Sequence, residues 1–218
     1  MESRELAALR AEYALAGLDD ADAGDDPVVL LNRWMREAIE GYAATASGEP
    51  NAMALATADE RGRPAVRMVL LKGLDAEGAV FYTNLESRKG RELQANPWAA
   101  AVLPWHPLQR QVRIEGRVTP LDEPEVDAYF AARPRGAQLA AAASEQSASV
   151  TDRAELERRY AEAESRFEGG PVPRPLRWGG YRMALEVVEF WQGRPNRLHD
   201  RIRFTLTGQE WVRERLQP

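Results

Sequence analysis

The stretch LEVVEFWQGRPNRLHDR, Leu185 to Arg201, sets the reading of the whole chain. Leu185, Val187, Val188, Phe190 and Trp191 give the apolar pattern of a half-buried strand, and Gly193-Arg194-Pro195-Asn196 is a turn signal. A second strand is expected to leave the turn over Leu198 to Leu206. Alternation there puts Arg197, His199 and Arg201 on one face and Leu198, Asp200 and Ile202 on the other. A cationic row beside an indole suits a flat, anionic ligand. Arginine offers a planar fork for phosphate, tryptophan a face for stacking, and histidine a group that changes charge near neutral pH. The residue types alone also fit a surface hairpin whose arginines pair with the chain's many carboxylates.

Outward from that stretch, a length of 218 residues with 44% hydrophobic content allows one sizeable globular core with an appended arm. A net charge of -5 and a pI near 5.3 argue against general binding of nucleic acid or anionic membrane, which needs a broad positive field. Any anion site must therefore be local. Without cysteine there is no disulfide, thiolate metal site or cysteine nucleophile, and two histidines argue against a metal centre. The charged start MESRELAALR is unlike a signal peptide and no run approaches the length of a membrane span, so a soluble, cytoplasmic protein is expected.

In chain order, Leu6, Leu9 and Tyr13 suggest a short amphipathic helix within Glu2 to Leu18, followed by the acidic run DDADAGDD as a mobile linker. That gives an arm or lid over residues 1–25 and a single domain over 26–218. Asp26-Pro27 is an N-cap and first-turn pair, and Leu30, Leu31, Trp34, Met35, Ala38, Ile39 and Tyr42 form the apolar face of a helix ending near Ser47-Gly48. Strands are expected from Ala52 to Ala58, Ala65 to Lys72 and Ala79 to Asn84, separated by turns, which reads as an antiparallel meander. A short helix opened by Ser87-Arg88-Lys89-Gly90-Arg91 stops at Asn96-Pro97. Strands then follow from Trp98 to Trp105 and Arg110 to Leu121, and helices from Asp122 to Ala132 and Thr151 to Phe167, with an alanine-rich stretch between those two. The last strands are Tyr181 to Gln192, Leu198 to Leu206 and Trp211 to Arg215. Many short strands with peripheral helices indicate a mainly β, α+β fold, an antiparallel barrel decorated by helices.

WQGRPNRLHDR, preceded by Glu189-Phe190, resembles the C-terminal signature of the pyridoxamine 5'-phosphate oxidase family, FMN enzymes that make pyridoxal 5'-phosphate. RMVLLKG (Arg67 to Gly73), FYTNLESRKG (Phe81 to Gly90), PWHPLQRQVRIEG (Pro104 to Gly116) and AYFAARPR (Ala128 to Arg135) resemble it too, so the likeness runs through most of the chain. The resemblance implies the FMN-binding split β-barrel and a homodimer with its sites at the subunit interface. It also implies oxidation of pyridoxamine or pyridoxine 5'-phosphate by O2, giving pyridoxal 5'-phosphate and hydrogen peroxide.

By resemblance, FMN is held by Arg67, by the backbone of Met68, Val69, Leu70 and Leu71, and by Lys72, which also reaches the substrate phosphate. On a regular strand Arg67 and Lys72 face opposite sides, so joint contact requires a bulge or a ligand at the strand's end; end-of-strand cations are otherwise simply solvated. Tyr82, Thr83, Arg88 and Lys89 supply hydroxyls and cations near a helix start, where free N–H groups favour phosphate, although a basic surface helix looks the same. The family assigns these four to FMN, with Gln111, Gln146, Ser147, Trp191 and Arg201. Its substrate side carries over to Lys72, Tyr129, Arg133, Arg197 and His199. Tyr129 and Arg133, one turn apart on a helix, can share a phosphate or form an ordinary surface pair. Arg197 and His199 are the implied catalytic pair, the first pressing substrate toward the flavin and the second partnering the ring substituents. LRAEY resembles a segment that folds over the site, which adds Arg10 and Tyr13 as lid residues.

The chain also departs from the pattern. Members usually carry serine two residues after the RPR arginine, whereas Gly136 and Ala137 follow Arg135 here, and LAAAAS lacks a tryptophan common in the family. Two rivals stay open: a split-barrel reductase using FMN or a deazaflavin on another substrate, and a non-catalytic flavin or pyridoxal phosphate carrier.

Overall fold

In the computed structural model, which describes residues 12–15, 17–45 and 48–218, the chain forms helices α1 (Asp20–Ala23) and α2 (Pro27–Thr45), then strands β1 (Ala52–Ala58), β2 (Pro64–Leu70), β3 (Gly73–Asp75) and β4 (Gly78–Asn84). Helix α3 (Arg88–Ala95) precedes β5 (Trp98–Trp105) and β6 (Arg110–Pro120). Helices α4 (Glu123–Ala132), α5 (Arg135–Ala143) and α6 (Arg153–Arg166) come next, and β7 (Trp178–Met183), β8 (Val187–Gln192), β9 (Asp200–Thr207) and β10 (Glu210–Arg215) close the chain. Two compact units result, with β1, β5 and β6 contributing residues to both. Arg10 and most of the helix expected over Glu2 to Leu18 lie outside the described residues, and the described part of that span carries no helix.

The first unit gathers the chain up to Met53, Ala101–Ile114 and Glu186–Pro218. Its strands run in the order β10-β9-β8-β6-β5, and in the antiparallel β8–β9 pair Phe190 faces Ile202 and Trp191 faces Arg201. Asp26 accepts the Val28 N–H at 2.8 Å, and Pro27 opens α2 with a φ already fixed for helix. Leu30, Leu31, Trp34 and Ala38 are buried on the inner stripe of α2. The edge of Trp34 meets Phe190 at 5.2 Å, and Phe190 meets Phe204 at 5.9 Å; burying a phenylalanine contributes about 1.5–3 kcal/mol. Ile39, expected on that stripe, is exposed because it turns one position past Ala38, away from the stripe's centre.

The hairpin differs from its alternation pattern. Pro195–Arg197 form a 3-10 turn in which Asn196 and Arg197 take φ of 57° and 61°, and β9 begins only at Asp200. Arg197 and His199 therefore do not share a strand face with Arg201, and Leu198 is 69% exposed. Pro195 is the cause, since its fixed φ and missing N–H favour a turn over the ladder. From Asp200 onward alternation holds, with Ile202 and Phe204 fully buried. The acidic run carries an element of its own, α1. Its Ala23 is buried, as is Leu18 just before it, and Arg215 donates to the Leu18 carbonyl at 3.0 Å and to Asp20 at 2.9 Å.

The second unit comprises Ala54–Ala100 and Glu115–Leu185. Here β2 pairs with β1, while β4 lies antiparallel between β3 and β7. The expected meander is thus broken after β2. Leu71 and Lys72 leave the strand, and the Lys72 N–H donates to Val80 at 2.8 Å. Buried along nearly its whole length, β4 needs a ladder on both edges, which β7 completes with Phe81 opposite Tyr181 and Tyr82 opposite Gly180. A Cβ on Gly180 would lie 2.8 Å from the Tyr82 ring, so glycine sets the ring's close approach. The strand expected from Tyr181 to Gln192 is two strands, parted where the Ala184 N–H turns to the Arg117 carbonyl at 2.8 Å. The alanine-rich stretch forms α5, as alanine's helix propensity favours, and Leu139 buries against Ala163 and Val172.

Candidate active site

A cavity of about 410 Å³ opens in the second unit. Met68, Val69, Leu70 and Lys72 reach it from the end of β2, Tyr82 and Thr83 from β4, and Lys89 from α3. Tyr129 and Arg133 enter from the α4 end, and Gln146 from the loop after α5. Because β2 stops at Leu70, Lys72 is free of strand alternation and joins Met68, Val69 and Leu70 at the cavity.

Lys89 owes its place to the cap of α3. The Ser87 hydroxyl accepts the Gly90 N–H, fixing the first turn. The ammonium is buried and donates to Thr83 Oγ1 and Gln146 Oε1, each at 2.9 Å, and to Ser87 Oγ at 3.4 Å. All three acceptors are neutral. Burial and the nearby Arg67 cation lower its pKa from 10.5 to about 8, against the opposing pull of Glu92. A buried ammonium held only by neutral oxygens is arranged to meet an anion.

Tyr82 and Tyr129 stack with ring centroids 3.8 Å apart and planes within 5°, and Trp178 lies parallel to Tyr82 at 5.4 Å. The Arg133 guanidinium sits 4.8 Å over the Trp178 ring. Arg133 is the C-cap of α4 rather than a helical residue, because Pro134 disfavours helical ψ in front of it. It still lines the cavity with Tyr129. Its Nη1 is buried with no hydrogen-bond partner among the described residues, and burial lowers its pKa against the opposing influence of Tyr129. An orphaned guanidinium nitrogen beside an aromatic wall fits a ligand oxyanion.

Other expected site residues lie elsewhere. Arg67 and Arg88 do not line this cavity; both pair with Glu92, at 3.0 and 2.7 Å, because a buried carboxylate is the strongest partner within their reach. Leu71 is 6% exposed and packs inward, and Ser147 follows Gln146 at φ 72° on the surface. Trp178, Asn84, Ala140, Ala141 and Ser144 line the cavity without having been singled out. The signal for Trp178 was an indole directly before Gly179-Gly180, where small residues let rings approach.

In the first unit, Trp191, His199 and Tyr13 form a cluster. The His199 ring lies 4.7 Å from Trp191 and 5.4 Å from Tyr13, whose own ring meets Trp191 edge-on at 5.6 Å. The Arg194 N–H donates to His199 Nδ1 at 3.1 Å, which leaves the proton of the neutral ring on Nε2. Burial first and the Arg197 charge second hold the His199 pKa below the ordinary value, against Asp200. The buried Glu189 accepts from Arg201 at 2.9 Å and Arg113 at 3.3 Å. Arg197 is exposed, and Gln111 stands half-buried on β6.

Comparison with known proteins first defines the class. The structure matches PhzG from Burkholderia lata, solved with tetrahydrophenazine-1-carboxylic acid, at a TM-score of 0.86 and 34% identity, over 95% of this chain and 100% of that one. It also matches a pyridoxamine 5'-phosphate oxidase-related, FMN-binding protein from Nostoc punctiforme at a TM-score of 0.68 and 18% identity, over 85% and 96% of the two chains. The fold is the antiparallel split barrel of FMN-binding proteins. Residues 36–167 match the family model for pyridoxamine 5'-phosphate oxidase, and residues 178–218 the model for the C-terminal dimerisation region of pyridoxine 5'-phosphate oxidase. A pyridoxine/pyridoxamine 5'-phosphate oxidase of Rubrobacter xylanophilus is 55% identical over 99% of this chain and 97% of its own length. One from Synechocystis is 50% identical over the full length of both. The chain belongs to the pyridoxamine 5'-phosphate oxidase family. Among the described residues no helix is long and apolar enough to cross a membrane, and no cluster of three or more His, Cys, Asp or Glu could hold a metal.

Proposed function

We propose that this protein is an FMN-dependent oxidase that converts pyridoxamine 5'-phosphate or pyridoxine 5'-phosphate, with O2, to pyridoxal 5'-phosphate and hydrogen peroxide, the amine substrate also consuming water and releasing ammonia. The carrying observation is two cations on one cavity that holds aromatic rings as well: the buried ammonium of Lys89, bonded only to neutral oxygens, and Arg133 with its orphaned Nη1. Two anionic groups and at least one planar ring suit that lining. Lys89, Thr83 and Gln146 fit the phosphate of FMN, with Arg67, Arg88, Gln111, Ser147, Trp191 and Arg201 as further contacts. Arg133, Tyr129 and Lys72 fit the phosphate of the vitamer. Bound flavin supplies the two-electron oxidation and its return to O2. The chain's own part is binding and orientation: Arg197 presses the substrate into place, and His199 presents Nε2–H to the ring substituents. The dimerisation region supports a homodimer; the sites at its subunit interface are part of the proposal. Peroxide and aldehyde should appear together when protein, FMN and either phosphorylated vitamer are mixed in air. Absence of both products with both substrates would sink the assignment.

Lys89 gives this cofactor reading a pH signature. Its folded pKa of about 8 lies below the unfolded value near 10.5, so the fold bears the full penalty of the buried charge below about pH 8, and stability recovers as pH rises between the two values. Phosphate binding needs the charged form. FMN affinity, followed by flavin fluorescence, should therefore fall above about pH 8, and Lys89→Met should weaken binding and flatten that fall. A mutant with the wild-type pH profile would remove Lys89 from the site.

A second reading, oxidation of a different planar anion, is favoured by one feature. Ala137 lines the cavity where the family usually offers a serine hydroxyl, and its own N–H is engaged by the Pro134 carbonyl at 2.8 Å. PhzG from Burkholderia lata, solved with a tricyclic carboxylic acid, supports this second reading. Ala137→Ser should lower KM for pyridoxamine 5'-phosphate about tenfold, or ~1.5 kcal/mol, with kcat nearly unchanged, because a hydroxyl on the distant phosphate binds ground and transition states alike. An unaltered KM in steady-state assays would show that the phosphate is already satisfied.

A further inference from the structure

Glu92, on α3, is 5% exposed, a depth at which a carboxylate persists only with partners. It accepts from Thr57 Oγ1, from Arg88 Nε at 2.7 Å and from Arg67 Nη2 at 3.0 Å. Arg67 Nη1 also donates to Thr57 Oγ1 at 2.6 Å and to the Leu55 carbonyl at 3.2 Å. Burial pushes the Glu92 carboxyl up, but the hydrogen bonds from Thr57, Arg88 and Arg67 outweigh it and hold the group below its ordinary value. It is therefore ionised at neutral pH. Stability does not require such a group, since apolar replacements of buried ion pairs are often neutral or stabilising. What the network does accomplish is to fix two guanidinium groups beside the start of the helix that carries Lys89.

We propose that Glu92 is a positioning residue for a phosphate-binding corner made by Arg67, Arg88 and Lys89, holding both guanidinium groups in the orientation in which they meet the cofactor's phosphate. The inference rests on the FMN reading above. Its sign separates it from a simple charge effect. A negative charge beside an anion site weakens binding by itself, so if Glu92 acted only as charge, neutralising it would tighten FMN. If it orients the arginines, neutralising it loosens FMN, because two long side chains regain the rotamers that the carboxylate had removed.

The test is FMN binding to the apoprotein of wild type, Glu92→Gln and Thr57→Val, by flavin fluorescence across pH. Glu92→Gln should weaken FMN about tenfold, the scale of one charge-assisted hydrogen bond. Thr57→Val, which keeps every charge, should weaken it in the same direction by a smaller factor. In Glu92→Gln the decline in affinity should also begin below about pH 8, because Glu92 helps to hold the proton on Lys89 while Arg67 opposes it. A variant that merely loosened the fold would lower Tm without moving that midpoint. Equal or tighter binding by Glu92→Gln, or an unmoved midpoint, overturns the proposal. Should Glu92→Gln fail to fold, undiminished affinity in Thr57→Val overturns it. If wild type itself binds no FMN, the cofactor reading fails, and the role of Glu92 with it.

Discussion

Replacing Arg133 by methionine should raise KM for pyridoxamine 5'-phosphate about a hundredfold, leave kcat within a few-fold, and raise the Tm of the unliganded protein. The first effect follows from a guanidinium whose Nη1 has no partner among the described residues and gains one from substrate. A charge-assisted, two-pronged contact with phosphate contributes about 3 kcal/mol, and ~1.4 kcal/mol is tenfold in affinity. The phosphate lies far from the reacting carbon, so the loss is shared by ground and transition states and falls on KM. The rise in Tm comes from the same atom. An unsatisfied buried donor costs about 1–3 kcal/mol; the stacking of Arg133 on Trp178 contributes about 0.5–2 kcal/mol, and methionine keeps much of it as thioether packing over the indole. Binding function here is held at the expense of stability. Steady-state kinetics and a melting curve on one preparation decide the matter. A lower Tm with unchanged KM would show that Arg133 is structural and that the phosphate sits elsewhere.

That pairing of effects could not be read from the sequence, and the reason is specific. AYFAARPR showed a tyrosine and an arginine one helical turn apart, but whether an arginine nitrogen is satisfied depends on every group around it. Elements fixed by local chemistry were legible: β1 and β5 fall on their expected residues, Ser87 caps α3 and Asp26 accepts the first N–H of α2. Elements fixed by distant partners were less so. One apolar run, Tyr181 to Gln192, hid the break between β7 and β8, because the carbonyl of Arg117 that takes the Ala184 N–H lies far away in the chain. The basic residues behaved likewise. Arg67 and Arg88 read as free cations in one dimension, and only the fold brings them to Glu92. Trp178 escaped notice because the strand was begun at Tyr181, three residues too late to include it.

Arg197→Met should lower kcat about a hundredfold with FMN retained and KM little changed, if the guanidinium acts on charge that develops at the oxidised carbon. Removing one such preorganised donor costs about 2.7–4 kcal/mol of transition-state stabilisation in enzymes of other classes. The backbone supports a dedicated role. Arg197 holds φ of 61° directly after Asn196 at 57°, in a region where a side chain other than glycine costs about 1–2 kcal/mol, and it is exposed, so core packing does not demand the conformation. Arg197→Gly should therefore relieve strain and stabilise the protein by roughly 1 kcal/mol while losing kcat as fully as the methionine variant. Equal losses in the two would assign the effect to the missing charge rather than to the turn. The neighbour gives an independent readout. Burial chiefly, and the Arg197 charge next, depress the His199 pKa, so either substitution should let it rise toward the ordinary histidine value. Proton NMR titration can follow that rise, with His106→Gln used to assign the second imidazole. Under the linkage sign, a depressed histidine pKa means that the fold disfavours the charged ring, a penalty felt as pH falls through the unfolded value and full below the folded one. Both variants should thus lose less stability than wild type on acidification toward pH 5. A raised KM with unchanged kcat would make Arg197 a binding group only, and an unmoved His199 titration would show that the two side chains do not interact.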